Sequence, residues 1–279
     1  MAAVDTSDDS ANILATFSQV SKVFPGVDGG DFTAISHVDL HVSEGEFVTV
    51  LGPSGCGKST LLNLLAGVYL PTTGQVLYRG IQVTDLNLRT GYMTQNDHLL
   101  PWRTVYDNVR APLEIKRIGR RQAAVRVEEL LEVVGLTPFA ASYPTQISGG
   151  MRKRAALARL LAYDPETLLL DEPFVALDAQ LRLLMQAELR GLCQHYGKTA
   201  IFVTHDVDEA AALGDRCVLF TSRPGRIRQV VKIHLPRDRD ILSLRRNPEF
   251  SSISARLWEL MTPDLESHRE SAASRLQNT

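Results

Sequence analysis

The strongest constraint on this chain is the segment Gly52-Pro53-Ser54-Gly55-Cys56-Gly57-Lys58-Ser59-Thr60. It fits the pattern GxxxxGK[ST] and lies between an apolar run, Glu46 to Leu51 (EFVTVL), and a helical pattern, Lys58 to Ala66 (KSTLLNLLA), that ends at Gly67. A strand that turns through glycines directly into a helix lets successive backbone N–H groups converge on an anion, with the positive end of the helix dipole behind them. The segment therefore reads as a nucleotide phosphate loop spanning Gly52 to Thr60. Lys58 is expected to reach the β and γ phosphates, and the Ser59 hydroxyl to ligate magnesium. Cys56 is read as a small tolerated residue of this loop, whose modification by a bulky thiol reagent should block nucleotide binding.

The rest of the chain has the organisation such a unit needs. Thr167–Pro173 (TLLLDEP), Lys198–Asp206 (KTAIFVTHD) and Arg216–Ser222 (RCVLFTS) are short apolar runs, each followed by a turn or helix signal. Near-continuous apolar strands suit a parallel sheet covered on both faces, so the fold class is α/β. Between these segments, residues 104–135 read as mainly helical. Ala123, Val127, Leu130, Leu131 and Val134 recur at three- and four-residue steps until Gly135 stops them. Beyond Pro236, Phe250, Ile253, Leu257 and Leu260 mark one further amphipathic helix, followed by a polar tail. Residues 1–12 are polar and acidic and are expected to form a loose terminus.

Composition excludes several classes. Lys plus Arg is 30 against 32 for Asp plus Glu, a net charge of −2, so no basic excess points to nucleic acid. The longest apolar candidate, Leu61 to Leu70, is interrupted by Asn63 and Gly67 and falls short of a membrane span. The acidic N-terminus does not have the pattern of a secretory signal, and a cytoplasmic location is expected. Cys56, Cys193 and Cys217 are far apart, which speaks against a disulfide framework or a zinc site.

A second chemical element is Asp171-Glu172, two carboxylates at the end of an apolar strand, where open α/β sheets place ligands. Asp171 is expected to hold magnesium, and Glu172 to polarise the attacking water as general base. The segment Gln146-Ile147-Ser148-Gly149-Gly150-Met151-Arg152-Lys153-Arg154 then closely resembles the LSGGQ-like signature of ATP-binding-cassette (ABC) ATPases, with Ile147 where the family usually has Leu. The order of phosphate loop, signature and strand-end Asp-Glu is that family's order, and the resemblance runs from about Phe24 to Arg226.

This resemblance implies a P-loop ABC ATPase core with a mainly parallel sheet, an N-terminal antiparallel β subdomain and an inserted helical subdomain. The implied domains are 12–235, with the helical part inserted at about 96–160, and a C-terminal helical extension and polar tail over 236–279. Two copies would pair head to tail, so that Ser148, Gly149 and Gly150 of one close over ATP held by the other. Gln95 resembles the Q-loop glutamine, a magnesium or water ligand, and His205 the switch histidine that contacts the γ-phosphate. Asp178 of Ala176-Leu177-Asp178 resembles the D-loop aspartate at the dimer interface, and Phe24 the aromatic residue that stacks on adenine.

Leu99-Leu100-Pro101-Trp102-Arg103-Thr104-Val105, Pro173-Phe174-Val175-Ala176-Leu177-Asp178-Ala179-Gln180 and Ser222-Arg223-Pro224-Gly225-Arg226-Ile227 look like the importer ATPases of the nitrate, sulfonate and taurine group. Val175 stands where that group usually has Gly. The resemblance implies a peripheral subunit on the cytoplasmic face of a bacterial plasma membrane, under permease subunits fed by a solute-binding protein. Residues 96–109 would receive a permease coupling helix. Within the same family, a lipid-trafficking or export ATPase is the alternative. Outside it stand an ATPase of DNA or ribosomes and an idle nucleotide-binding module.

Overall fold

The structure is a computed structural model that describes residues 12–26, 29–175 and 177–277, with side chains as far as Thr262. Apart from Asn12, the expected loose terminus lies outside the described residues, as does Ala176 of the D-loop-like segment.

The chain begins with two long strands, β1 (Ile13–Pro25) and β2 (Asp31–Ser43). β3 (Phe47–Leu51) leads through the glycine-rich loop into α1 (Lys58–Leu65). β4 (Thr73–Tyr78), β5 (Ile81–Gln82) and β6 (Thr90–Met93) follow. Then come the helices α2 (Val105–Ile115), α3 (Arg120–Val133) and α4 (Gly149–Tyr163). The second half alternates: β7 (Thr167–Asp171), α5 (Ala179–His195), β8 (Thr199–Thr204), α6 (Val207–Leu213), β9 (Arg216–Phe220) and β10 (Ile227–Lys232). α7 (Pro248–Gln277) ends the described chain.

Two sheets form. One is antiparallel with strand order β2-β1-β4-β5, and the other runs β10-β9-β3-β8-β7-β6. In the second, the strands from β9 to β6 are parallel, and β10 pairs antiparallel at the edge. The arrangement follows from the sequence. Every residue of β3, β7 and β8 is buried, which requires layers on both faces. Alternate residues separate into two cores, as a two-residue period dictates. Phe47, Leu51, Leu168, Leu170, Ala200 and Phe202 face a core shared with the helical insert and the C-terminal helices. Val48, Val50, Leu169, Ile201 and Val203 face one shared with α1 and the antiparallel sheet.

The helical insert has the expected pattern. Ala123, Val127, Leu130 and Leu131 are buried on α3. Thr104 caps α2 by accepting from the Asp107 N–H at 3.1 Å. Arg190 of α5 forms a part-buried ion pair with Asp215, just before β9, at 2.6 Å. Beside it, Arg239 donates to the Leu213 and Gly214 carbonyls at the end of α6. Burial pushes the Arg239 guanidinium down to about 10.

Phe250, Leu257 and Met261 are buried in the core on α7. The helix runs on to Gln277, where the sequence led to the expectation of a polar tail. The polar stretch has no apolar stripe, but it is rich in Glu, Ala, Arg and Leu, which favour helical backbone without one. Among the described residues, no helix is long and apolar enough to cross a membrane.

Gly67 ends α1 at φ +73°, and a Cβ there would lie 2.0 Å from the Asp85 carbonyl oxygen. Gly67→Ala should therefore destabilise the fold by about 2–4 kcal/mol, combining the left-handed backbone cost with the clash. Chemical denaturation checks this, and an unchanged midpoint would show that the loop around Asp85 yields freely.

Candidate active site

Neighbouring parallel strands β3, β8, β7 and β6 end at one edge, in register. Leu51 lies opposite Thr204, Val203 opposite Asp171, and Leu170 opposite Met93. The residues that follow these strand ends are the phosphate loop, His205, Glu172 and Gln95. The carboxyl ends of parallel strands are where such sheets hold ligands.

Gly57 caps α1 in the left-handed region at φ 103°. A Cβ there would come within 2.5 Å of Ile35 Cγ2 and 2.8 Å of the Ala34 oxygen, so glycine is required. No acidic side chain occupies the first turn of α1 and none caps it, so its first N–H groups keep their capacity for an anion. Gly52 and Pro53 are buried, while Ser54, Gly55 and Ser59 are exposed and Thr60 is half-buried. The Lys58 ammonium is buried and donates to the Gly52 and Pro53 oxygens, each at 2.8 Å. The Cys56 side chain is 1% exposed and packs into the core beneath the loop, so a thiol reagent can reach it only when the loop opens. Any contact of Cys56 with phosphate falls to its backbone.

The loop rests on main chain. Gly225 pairs with β2 through its N–H to the Ala34 oxygen and its oxygen to the Ser36 N–H, both at 2.9 Å. A Cβ on Gly225 would lie 1.9 Å from the Cys56 oxygen. Next to it, the Arg223 Nε donates to the Gly55 oxygen at 2.9 Å, with its guanidinium 4.3 Å from the Phe32 ring centre. The sequence marked Ser222–Ile227 only by resemblance; its steric role behind the loop has no local signal.

The two carboxylates differ in environment. Asp171 is buried, which raises its carboxyl above the usual range, while a hydrogen bond with Ser59 opposes that rise. The Tyr92 hydroxyl also bonds Asp171 and is itself pushed up by burial. Glu172 sits at φ +47°, strained for a residue with a side chain, and its N–H donates to the Val203 oxygen at 3.0 Å. Its Oε1 lies 3.1 Å from His205 Nδ1, with the glutamate side chain nearly buried and the histidine half exposed.

Gln95 is exposed just past β6, and its backbone oxygen accepts from Lys153 of α4. Lys153 is buried, which lowers its ammonium below the usual range, against the pull of Asp97, Asp171 and Glu172. Arg152 bonds Asp97 at 3.1 Å, and Arg159 bonds the Asp97 and His98 oxygens. Thus α4 grips residues 95–98 by three cationic side chains. Lys153 and Tyr92 escaped the sequence reading, because a lysine in a charged helix and a tyrosine in a strand carry no distinguishing pattern.

Other expected residues lie apart from this edge. Ser148 caps α4 and accepts from the Met151 N–H at 3.2 Å, with Gly149 and Gly150 opening the helix. Asp178 caps α5 by accepting from the Leu181 N–H at 2.9 Å. Phe24 stands edge-on to Tyr69 with ring centres 5.3 Å apart, under the Lys22 ammonium at 5.0 Å. Among the described residues, none of these three side chains bonds the residues at the sheet edge, so any role there needs a ligand or a second chain.

The donor set suits magnesium in one specific way. The described residues contain no group of three His, Cys, Asp or Glu able to cage a metal. Ser59 and Asp171, at the start of α1 and the end of β7, supply a hydroxyl and one carboxylate, which fits an ion that takes its remaining ligands from phosphate oxygens and water.

Residues 35–175 match the family model described as ABC transporter. An uncharacterised ABC transporter ATP-binding protein of Methanocaldococcus jannaschii is 46% identical over 85% of this chain and 88% of its own length. The nitrate import ATP-binding protein NrtC of Synechococcus elongatus is 43% identical over 86% of this chain, though only 37% of that longer protein is matched. The bicarbonate transport ATP-binding protein CmpC of the same organism is 39% identical over 88% of this chain and 38% of its own. Among solved structures, a dimeric ATP-binding cassette in a post-hydrolysis state with ADP and Pi is similar at a TM-score of 0.73 and 32% identity. It covers 80% of this chain and all of that one.

A folded-state carboxyl raised above its unfolded value binds more protons when folded, so its contribution to stability is lost as pH rises from the unfolded through the folded value. The Asp171 carboxyl is thus a growing cost to the ligand-free fold as pH rises above its unfolded value. Asp171→Asn should raise Tm at pH 7 and narrow the gap below pH 4; an unchanged or lower Tm at pH 7 would contradict it.

Proposed function

Because this chain belongs to the ABC transporter family of ATP-binding cassettes, which are ATPases, we propose that it is the ATP-hydrolysing subunit of an importer of a small solute of the nitrate, sulfonate, taurine or bicarbonate kind. The observation that carries the proposal is the Glu172–His205 contact of 3.1 Å at the strand edge that also ends in the phosphate loop.

The proposed chemistry follows from that geometry. The N–H groups at the start of α1 and of the loop Gly52–Gly57 bind the β and γ phosphates. The Lys58 ammonium exchanges the Gly52 and Pro53 oxygens for phosphate oxygens and supplies positive charge where negative charge builds up. Glu172 orients the attacking water and takes its proton, and His205 holds the γ-phosphate and orients the carboxylate. Phe24 offers a ring face to adenine. Ser59, Asp171 and Gln95 would hold magnesium, which when bound would supply neutralisation of phosphate charge. Ser148, Gly149 and Gly150 complete the site of a second copy, and Asp178 lies at that interface. The dimeric cassettes among the similar structures support this pairing.

The import reading is supported by the nitrate and bicarbonate relatives. A further support is the surface next to Gln95. Trp102 is 72% exposed in the segment 96–109 assigned to a permease coupling helix. A cavity of about 290 Å³ opens at the start of that segment, lined by Asn96 and His98 together with Pro112, Ile115, Arg159 and Tyr163. Docking there places the cassette at the cytoplasmic face of the plasma membrane, with a solute-binding protein supplying cargo to the permease from outside.

Glu172→Gln should keep ATP binding and lose turnover by about 100-fold or more, as removal of a general base does; wild-type turnover would reject the assignment. Ser148→Arg should abolish hydrolysis while each chain still binds ATP, since the bulk enters the partner's site. For transport, Glu172→Gln chain trapped with ATP in its native membranes should co-purify with a permease. Recovery of ribosomes or DNA instead would overturn the importer reading and leave the ATPase chemistry standing.

A further inference from the structure

Glu209 is a carboxylate that the mechanism above does not use, although it lies one helical turn after His205. It is 7% exposed on α6, among Thr204 (2%) and Gln186 (4%). Three hydrogen bonds organise this group. The Thr204 hydroxyl donates to Glu209 Oε2, the Gln186 amide donates to Glu209 Oε1 at 2.9 Å, and the Asp206 N–H donates to Thr204 Oγ1 at 3.0 Å. The Asp206 side chain in turn accepts from the Glu209 N–H at 3.0 Å, capping α6.

Chemically this is a capping box with a hydroxyl inserted. In the usual box, the cap side chain accepts from the N3 amide and the N3 carboxylate reaches back to the cap's own N–H. Here the carboxylate reaches back to Thr204, and Thr204 takes the Asp206 N–H. A threonine hydroxyl has one proton and two lone pairs, so donation to Glu209 fixes the direction of its remaining acceptor. The residues on both sides of His205 are thereby clamped, leaving the imidazole at the apex of the turn against Glu172. Gln186 extends the clamp to α5, the helix that Asp178 caps. Burial raises the Glu209 carboxyl above its usual range, while the bonds from Thr204 and Gln186 oppose the rise.

We propose that Glu209, acting through the Thr204 hydroxyl, is a positioning residue that sets the place of His205 against Glu172, and that Gln186 ties that placement to the helix beginning at Asp178. The proposal rests on the reading of Glu172 and His205 as the reacting pair. A side chain that acts by position should affect the chemical step and leave nucleotide affinity alone, since neither Glu209 nor Thr204 belongs to the phosphate loop.

The decisive variants change one hydroxyl. Thr204→Val keeps shape and removes the hydroxyl, whereas Thr204→Ser keeps the hydroxyl and removes a methyl. Thr204→Val should lower kcat by about 10- to 100-fold, the scale on which small misplacements act, with the Kd for ATP within about threefold of wild type. Thr204→Ser should recover most of that loss. Adding Glu209→Ala to Thr204→Val should cost little further turnover, because both break one network. In the ligand-free chain, the His205 imidazole NMR signals should move in Thr204→Val and stay near wild type in Thr204→Ser. The proposal is overturned if Thr204→Val turns over within twofold of wild type with unmoved His205 signals. Equal losses in the Val and Ser variants overturn it too. Absence of turnover in the wild-type chain would count against the proposed function instead, and the His205 signals would still decide this proposal.

Discussion

Everything at this site depends on four parallel strands stopping in register. Because β3, β8 and β7 are buried at every position, their backbone bonds are shielded from water and their order is fixed by packing on both faces. Four segments distant in sequence then meet along one edge. The chemistry there is added at the strand ends: glycines after β3, a second carboxylate after β7, a histidine after β8 and a glutamine two residues past β6.

That edge holds tension of several kinds. Glu172 is kept at φ +47°, Asp171 is kept from water, and the Lys58 ammonium is buried on two backbone oxygens. None of these is a favourable arrangement for folding alone. Each becomes favourable when a polyanion brings negative charge to Lys58 and a cation to Asp171, so the features that weaken the empty fold are those that binding repays. The surrounding sheet holds the two acidic residues in place: Asp171 pairs with Val203 in the ladder, and the Glu172 N–H donates to the Val203 oxygen.

Much of the architecture was legible in the sequence because its signals are local. A glycine-rich turn between strand and helix, uniform apolar strands, and the spacing of Ala123, Val127, Leu130 and Leu131 each reflect neighbours along the chain. The Asp171–Glu172 pair and His205 were legible as strand-end residues. What stayed hidden depends on contacts far apart in sequence: Lys153 reaching Gln95, Tyr92 bonding Asp171, Gly225 pressed to Cys56, and the Gln186–Glu209–Thr204 chain. The burial of the Cys56 thiol was hidden for a related reason, since a loop position gives no sign of which way its side chain turns. The long α7 was underestimated because a polar stretch with no apolar stripe reads as a tail.

The wall behind the phosphate loop combines main chain, the Ala34 carbonyl beside Gly57 and the Gly225 backbone against Cys56, with the close-packed side chains of Ile35 and Phe220. Backbone offers little for selection to vary, and the buried Ile35 and Phe220 have no room to change size, so this part of the site is close to a fixed component. Differences in nucleotide affinity or turnover between related cassettes must then be written elsewhere, in side chains reached from the front or through the neighbouring helices. A library aimed at retuning such a cassette would do better to spare the rear wall and sample the periphery, where a substitution changes strength without changing shape.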